Sequence, residues 1–282
     1  MRRLCVIGNP VGHSLSPLMH NAALESLELL EEYSFEKLRV RANELADFVA
    51  RAREEFAGMC VTMPHKQAII PLLDILSKEA MLAGAVNTVS LAEGSVEGAR
   101  MAVGHNTDGA GCVKALEAAG TRVNGRAAVL LGAGGAARAI GVSLALNGVR
   151  DLRILNRTPG AAGVVAAAIR KVSDVSVDSA GLDSIQEAMA EADILINATP
   201  AGMRGVRTKS LVPPGLIEQH MTVFDIVYEP RETKLLKDAR RIGANAIPGT
   251  EMLLHQGALQ FKIFTGKDAP IESMRATLEA HG

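Results

Sequence analysis

A glycine-rich turn in the middle of the chain has the spacing of a dinucleotide-binding loop. After the apolar run at 127–131, a helical pattern opens with Gly132-Ala133-Gly134-Gly135-Ala136-Ala137. Gly132 permits a tight turn, Gly134 lets the backbone approach a pyrophosphate, and Ala137 allows close packing of helix on strand. The helix N-terminus offers unpaired N–H groups to phosphates. We therefore predict a dinucleotide site, against the alternative of a tight turn that binds nothing.

The end of the next predicted strand indicates which dinucleotide binds. Residues 152–155 are followed by Asn156-Arg157-Thr158. A site for NAD usually has an acidic residue here for the ribose 2′-OH, whereas an arginine suits the 2′-phosphate of NADP. The alternative is that Arg157 is a solvated loop charge. We predict NADP, with NAD as the second choice.

Two charged residues in the first half are candidates for acid–base chemistry. Lys66 falls in the first turn of a helix predicted to start near Pro64, where a cation opposes the helix dipole. A solvated lysine is the commoner case, yet a charge placed this way just after a strand is typical of a functional lysine. Asp108 precedes another helix, where its alternative role is an N-cap. The sequence leaves open whether the two meet; near a nicotinamide they would form a plausible acid–base pair.

Two serines follow the first predicted strand and precede a helix that begins near Pro17. Ser14 and Ser16 would make an anion site at that helix N-terminus, suited to a carboxylate. The alternative is that Ser16 is only an N-cap. Spacing alone does not separate the two interpretations.

The totals exclude several classes of protein. The chain has 282 residues, a net charge of −1, 48% hydrophobic and 3% aromatic residues. These values exclude a disordered chain and argue against a nucleic-acid or membrane surface. The seven histidines and three cysteines show neither metal-ligand spacing nor a disulfide framework, so we predict no metal site. We expect no signal peptide or membrane span, and a cytoplasmic location by default.

Short β-branched runs alternate with helical patterns along most of the chain. This alternation predicts βαβ units, parallel sheets and an α/β fold. The predicted strands are 4–8, 33–40, 58–62, 85–91, 127–131, 152–155, 194–198 and 222–227. The predicted helices are 17–30, 43–56, 64–76, 109–119, 135–147, 158–171, 183–191, 232–241 and 250–265.

Taken in order, these motifs resemble the shikimate dehydrogenase family over nearly the whole chain. Val61-Thr62-x-Pro64-x-Lys66 is similar to the catalytic lysine motif of that family, and Asn106-Thr107-Asp108-Gly109 is similar to another of its motifs. The other similar segments lie within 8–21, 84–88, 132–137, 156–158, 197–203, 225–233 and 249–261.

The resemblance implies NADP-dependent interconversion of 3-dehydroshikimate and shikimate, in the pathway to chorismate and the aromatic amino acids. It implies that Lys66 and Asp108 are the catalytic pair. The implied substrate residues are Ser14, Ser16, Thr62, Asn87, Tyr228 and Gln256. The implied cofactor residues are Gly132, Gly134, Gly135, Ala136, Asn156, Arg157, Thr158, Thr199, Gly249 and Met252.

The resemblance also implies a two-domain α/β fold. An N-terminal α/β substrate domain would comprise residues 1–105, completed by C-terminal helices at 249–282. A Rossmann-type, doubly wound NADP-binding domain would comprise residues 106–248. The turn-rich stretch 98–108 is a candidate crossing between them. We expect a small-molecule substrate, no nucleic-acid or membrane partner, and a monomer or homodimer.

The chain departs from the family pattern at two places. Cys60 stands where the family usually has an asparagine that lines the substrate, which removes an amide donor and acceptor. Ala161 stands where a second basic residue often follows Arg157, which should bind NADP less selectively. The alternatives are therefore a dehydrogenase of quinate or another hydroxylated cyclohexane carboxylate, using NADP or NAD. A non-catalytic metabolite sensor is a further alternative, disfavoured by the presence of Lys66 and Asp108.

Overall fold

The structure, a computed structural model, describes residues 1–93, 100–206 and 209–281. These residues divide into two compact units, Met1–Asp108 with Leu254–His281, and Gly109–Leu253. Residues 98 and 99 of the turn-rich stretch lie outside the described residues. In the described ranges, no helix combines the length and the apolar character needed to cross a membrane.

The first unit is built on a six-stranded sheet in the order β2-β1-β3-β5-β6-β4. Its strands are β1 (Arg2–Gly8), β2 (Tyr33–Arg39), β3 (Gly58–Val61), β4 (Ile75–Leu76), β5 (Thr88–Glu93) and β6 (Arg100–His105). Its helices are α1 (Ser16–Ser26), α2 (Leu45–Glu55), α3 (His65–Ala68), α4 (Lys78–Ala83) and α11 (Ile271–His281). The α5 helix (Asp108–Ala118) and the α10 helix (Gly249–Thr265) contain the points where the chain passes from one unit to the other.

The prediction of parallel sheets is only partly correct for the first unit, whose sheet mixes parallel and antiparallel pairs. β1 pairs in parallel with β2 and β3, but β5 is antiparallel to both β3 and β6. Only residues 94–99 separate β5 from β6, and so short a connection cannot make the crossover that parallel strands require. The sequence patterns also did not reveal β6.

The prediction of one helix over 64–76 is also wrong. The α3 helix ends at Ala68, a 3₁₀ turn follows at Ile70–Leu72, and Ile75–Leu76 forms β4. Pro71 stands inside the stretch and supplies no N–H to a helix, so the helix cannot continue through it.

The core of the first unit includes the apolar face of α2. Leu45, Phe48, Val49 and Ala52 are buried on one face of this helix. They belong to a cluster that also contains Cys5, Ile7, Met59 and Val61 of the central strands β1 and β3. Burial of this helix face against the sheet stabilises the fold through the hydrophobic effect and holds the ends of β1 and β3 in place.

The second unit is a doubly wound parallel sheet in the order β12-β11-β10-β7-β8-β9. The strands are β7 (Ala127–Leu131), β8 (Asp151–Leu155), β9 (Ser176–Ala180), β10 (Ile194–Asn197), β11 (Thr222–Asp225) and β12 (Asn245–Ile247). The helices within this unit are α6 (Gly135–Leu146), α7 (Pro159–Arg170), α8 (Ile185–Met189) and α9 (Lys234–Ile242). The strand order changes direction at β7, and sheets of this kind bind ligands beyond the carboxyl ends of the strands at that point.

A buried carboxylate ties the ends of β10 and β11 to the start of α9. Asp225 accepts hydrogen bonds from Asn197 Nδ2 at 2.9 Å, from the Val227 amide at 3.1 Å and from Thr233 Oγ1 at 2.6 Å. Burial raises the pKa of the Asp225 carboxyl to about 6, against these donors, which lower it. The folded protein therefore holds a proton here at pH values where the unfolded chain has released it.

We expect Asp225 to make the protein less stable as the pH rises through 4 to 6. The folded carboxyl has a higher pKa than the unfolded one, so its contribution is present at low pH and is lost on ionisation, up to about 3 kcal/mol. Urea unfolding at pH 4 and pH 7 should show a larger loss in the wild type than in Asp225→Asn, which cannot ionise. Equal losses in the two proteins would contradict this expectation.

Candidate active site

Three strand ends meet at one edge of the sheet of the first unit. β5 runs against its neighbours, so its first residue, Thr88, lies beside Cys60 at the end of β3 and beside His105 at the end of β6. Residues that follow β3 and β6 and residues that precede β5 are therefore brought together. Lys66, Asp108 and Asn87 occupy these three positions.

Lys66 and Asp108 form a close ion pair at this edge. Lys66 Nζ lies 2.5 Å from Asp108 Oδ2, and the two side chains are 22% and 6% exposed. Asn87 Nδ2 donates to the other carboxylate oxygen, Oδ1, at 2.8 Å. Asn106 Oδ1 accepts a hydrogen bond from the Asp108 amide at the start of α5. The structure thus joins the two residues that the sequence left apart.

A set of amides and hydroxyls surrounds the pair. Asn87 Oδ1 accepts from the Thr107 backbone N–H at 2.9 Å, and Nδ2 lies 2.9 Å from Thr107 Oγ1 and 3.3 Å from Gln256 Oε1. A backbone N–H can only donate, so this contact fixes which end of the Asn87 amide faces Asp108. Asn87, Thr107 and Gln256 are all buried. The structure therefore brings together Lys66, Asp108, Asn87 and Gln256 among the residues predicted from sequence.

The loops that carry Ser14, Ser16 and Thr62 follow the neighbouring parallel strands β1 and β3. The Asn9 amide donates to Met63 O at 3.0 Å, and a Cβ on Gly8 would meet Thr62 Cγ2 at 2.4 Å. Only glycine at position 8 allows this approach of the two loops. Ser14, Ser16 and Thr62 therefore lie at the edge of the sheet where β1 and β3 end.

The N-cap interpretation of Ser16 is wrong. The α1 helix begins at Ser16 itself and its N-cap residue is Leu15, with no side-chain cap. Ser14 Oγ instead accepts a hydrogen bond from the Ser16 amide at 3.3 Å. The anion-binding role of the two hydroxyls stays a prediction.

Two buried polar residues near the pair were missed by sequence reasoning. Thr88 and Gln260 are 0% and 2% exposed and are hydrogen-bonded to each other. The available signal was spacing, because Gln260 stands four residues after Gln256 on α10 and so lies on the same helix face. The sequence pattern could not distinguish Gln260 from a solvated helix residue, or Thr88 from a solvated strand residue.

The glycine loop of the second unit has the conformation expected of a phosphate-binding turn. Gly132 has a φ of +118°, and a Cβ there would lie 2.8 Å from Ala198 O, so only glycine fits. A Cβ on Gly134 would meet no heavy atom of the described residues within 4 Å. The space over the N-terminus of α6 is thus open to a ligand at Gly134, next to Gly135 and Ala136. These residues fit a dinucleotide pyrophosphate.

The loop after β8 leaves one cation available. Asn156 is held by its amide to Ala180 O and by Nδ2 to Thr158 O at 3.0 Å. Arg157 between them is exposed, and it has no hydrogen-bond or ion-pair partner within residues 1–93, 100–206 and 209–281. A guanidinium in this position can form paired hydrogen bonds with a phosphate.

Four predicted residues are still to be placed, and all of them lie in the second unit: Thr199, Tyr228, Gly249 and Met252. Thr199 follows β10 and donates from Oγ1 to Asn197 at 2.6 Å. A Cβ on Gly249 would meet Val227 O at 2.4 Å, and Met252 is buried one turn further along α10. Tyr228 also belongs to this unit, unlike the other five predicted substrate residues, and burial raises the pKa of its phenol.

In the part of the chain that the structure describes, no group of three or more His, Cys, Asp and Glu side chains could hold a metal ion. A doubly wound sheet with a glycine loop, in a chain that also carries a part-buried Lys–Asp pair, fits the class of nicotinamide-dependent oxidoreductases.

Family comparisons place the chain within that class. Profiles described as the shikimate dehydrogenase substrate binding domain, shikimate / quinate 5-dehydrogenase and the shikimate 5′-dehydrogenase C-terminal domain match residues 6–89, 114–240 and 249–279. The chain belongs to the shikimate dehydrogenase family.

Individual relatives are similar over the whole length. The shikimate dehydrogenase (NADP(+)) of Methanothermobacter thermautotrophicus is 40% identical over 97% of this chain and 94% of its own. The structure of the Thermus thermophilus enzyme with NADP(H) and shikimate has a TM-score of 0.86 at 36% identity, covering 99% of both chains. The quinate dehydrogenase of Corynebacterium glutamicum, solved with NAD, has a TM-score of 0.88 at 31% identity, again over 99% of both chains.

We expect Lys66→Ala to lower kcat by about 100-fold or more, because a positioned acid–base group contributes about that much. Binding of NADPH, followed by its fluorescence, should persist, since Lys66 belongs to the first unit and the glycine loop to the second. Lys262→Ala is the matched control, because Lys262 also pairs with an aspartate, Asp268, at 2.7 Å, but both partners are exposed. Turnover like that of the wild type in Lys66→Ala would refute the role of this pair.

Proposed function

We propose that the protein is an NADP-dependent oxidoreductase that interconverts 3-dehydroshikimate and shikimate. Membership of the family supports the reaction class. The Lys66–Asp108 pair at 2.5 Å is the observation that supports the acid–base chemistry. NADPH supplies the hydride when bound. The carbonyl oxygen must then gain a proton as it becomes an alcohol.

Lys66 is suited to give that proton. Its ammonium would polarise the substrate carbonyl and transfer a proton to the oxygen, and it would take the proton back in the oxidation of shikimate. Asp108 holds Lys66 in place, and Asn87 restrains the second oxygen of Asp108. Burial of the carboxylate strengthens these contacts because water does not compete for them.

The other predicted residues would bind and orient. We assign Ser14 and Ser16 to the substrate carboxylate, with Tyr228, and Thr62, Asn87 and Gln256 to the ring and its hydroxyls. The pyrophosphate would lie over Gly132, Gly134, Gly135 and Ala136, and the 2′-phosphate would bind to Asn156, Arg157 and Thr158. Thr199, Gly249 and Met252 would adjoin the nicotinamide. The open space at Gly134 supports the cofactor assignments, and so does the guanidinium of Arg157, which has no hydrogen-bond or ion-pair partner in the described part of the chain.

Substrate binding and cofactor binding are assigned to different domains. We infer that residues 1–105 with 249–282 bind the substrate and that residues 106–248 bind NADP. The compact units Met1–Asp108 with Leu254–His281, and Gly109–Leu253, support this division.

The net charge and the cysteines bear on the compartment and the partners of the enzyme. We propose a cytoplasmic monomer or homodimer that acts on small molecules, without nucleic-acid or membrane partners. A net charge of −1 supports the absence of a broad anion-binding surface. Cys5, Cys60 and Cys112 are buried and none forms a disulfide within the described residues, which supports a reducing compartment.

A second candidate function is oxidation of quinate or another hydroxylated cyclohexane carboxylate, with NADP or NAD. The observations that favour it are Cys60 in place of the usual amide and a single arginine in the cofactor loop. A non-catalytic sensor is disfavoured, since it would have no need of a Lys–Asp pair held by a third residue.

One assay separates these candidates. Purified protein is given shikimate or quinate, each with NADP⁺ or NAD⁺, and formation of reduced cofactor is followed at 340 nm. We expect the highest kcat/KM for shikimate with NADP⁺. Faster turnover of quinate would establish the quinate dehydrogenase candidate. Absence of shikimate turnover with both cofactors would refute the shikimate dehydrogenase candidate.

We expect Arg157→Ala to raise KM for NADP⁺ about 10-fold or more and to change KM for NAD⁺ little, because only NADP⁺ carries the 2′-phosphate that a guanidinium can bind. The measurement is KM for each cofactor at saturating substrate. Arg122→Ala is the control, since Arg122 is another exposed arginine of the second unit. An equal loss for NADP⁺ and NAD⁺ would mean that Arg157 does not recognise the 2′-phosphate.

A further inference from the structure

A buried amide on α10 is left without a role by the proposed reaction. Gln260 is 2% exposed, and its polar atoms contact Cys60, Thr88 and the backbone of Asn87. A buried amide is costly unless its donors and acceptor are satisfied, so these contacts account for its place in the core. They also join Gln260 to the residue that restrains Asp108.

The orientation of the Gln260 amide is fixed by its neighbours. Nε2 donates to Asn87 O at 3.3 Å and to Thr88 Oγ1 at 3.0 Å, and Oε1 accepts from Cys60 Sγ at 3.1 Å. A backbone carbonyl can only accept, so the NH₂ group must face it. Burial raises the pKa of the Cys60 thiol, which keeps the S–H donor in place.

The direction of the next two hydrogen bonds follows from that orientation. Thr88 Oγ1 receives a hydrogen from Gln260, so its own hydrogen is available to Asn87 Oδ1, which lies at 2.8 Å. Asn87 in turn donates from Nδ2 to Asp108 Oδ1 at 2.8 Å. The donors from Cys60 through Gln260, Thr88 and Asn87 therefore all point toward Asp108. Hydrogen bonds aligned in one direction polarise and strengthen one another.

We propose that Gln260 is a positioning residue for the Lys66–Asp108 pair, acting through Thr88 and Asn87. The proposal rests on the proposed function, since it takes this pair as the acid and base of the reaction. The amide that the family usually carries at position 60 is absent here, and in this chain the amide that contacts Cys60 is that of Gln260. Gln260 thus acts on the orientation of Asp108, the partner of Lys66, through Thr88 and Asn87.

Two substitutions of similar size test the direction of the donors. Gln260→Met removes both polar ends and should lower kcat about 5-fold, the value of one side-chain hydrogen bond. Gln260→Glu supplies one O–H donor while its buried carboxyl is protonated and only acceptors once it ionises. As the pH rises it should therefore turn the Thr88 hydroxyl away from Asn87 and lower kcat below that of Gln260→Met. KM for shikimate should stay within about 2-fold in both, because the residue acts on the pair and not on substrate binding.

A double-substitution cycle distinguishes this path from a loss of packing. Thr88→Val breaks the same path one step later, so adding Gln260→Met to it should lower kcat by less than about 2-fold. Thr265→Val on the same helix is the control; its hydroxyl donates to Phe261 O, away from the pair, and kcat should not change. Melting temperatures of all variants are measured alongside.

The outcomes are distinct. A fall in kcat at constant KM that does not add to the Thr88→Val effect supports the proposal. Wild-type kcat in both Gln260 variants, or fully additive losses in the double variant, would overturn it while leaving the proposed function intact. Wild-type protein that does not turn over shikimate would overturn the proposed function and this inference with it. If Gln260→Glu fails to fold, Gln260→Met alone decides between these results.

Discussion

The site of the first unit depends on holding one carboxylate in a fixed orientation inside the protein. The Asp108 side chain is 6% exposed, so it has lost most of its hydration and needs replacements for both oxygens. Lys66 supplies one and Asn87 supplies the other. Each partner is in turn placed by a different strand end, which means that the whole sheet edge must form before the carboxylate is stable there. A single buried charge thus sets requirements on β3, β5 and β6 together.

The antiparallel strand β5 meets this requirement, and the sequence did not reveal it. The apolar run at 85–91 predicted a strand, but its direction depends on how the chain returns, and β6 lacked a recognisable pattern. Strand direction is a tertiary property, set here by the short connection at 94–99. The contact between Lys66 and Asp108, which lie 42 positions apart, arises from that geometry and could be suggested from residue types but not demonstrated.

The second unit was predictable to a greater extent because its signals are local. The glycine spacing, the buried run before it and the Asn156-Arg157-Thr158 loop each lie within a few residues, and the parallel arrangement of this sheet agrees with the alternation of elements. The network around Asn87 was not predictable in the same way. Gln260 and Thr88 are polar residues in apolar surroundings, and only the fold shows that each has a buried partner.

The order in which the chain is synthesised gives the inserted arrangement a further consequence. The second unit is one continuous segment, Gly109–Leu253, whereas the first unit needs both Met1–Asp108 and Leu254–His281. A ribosome therefore delivers everything the second unit requires before it delivers Gln256, Gln260 or the α11 helix that packs on α1. Domains generally fold as units during translation. The sheet of the first unit is accordingly incomplete, with apolar surface exposed, until Leu254–His281 have emerged.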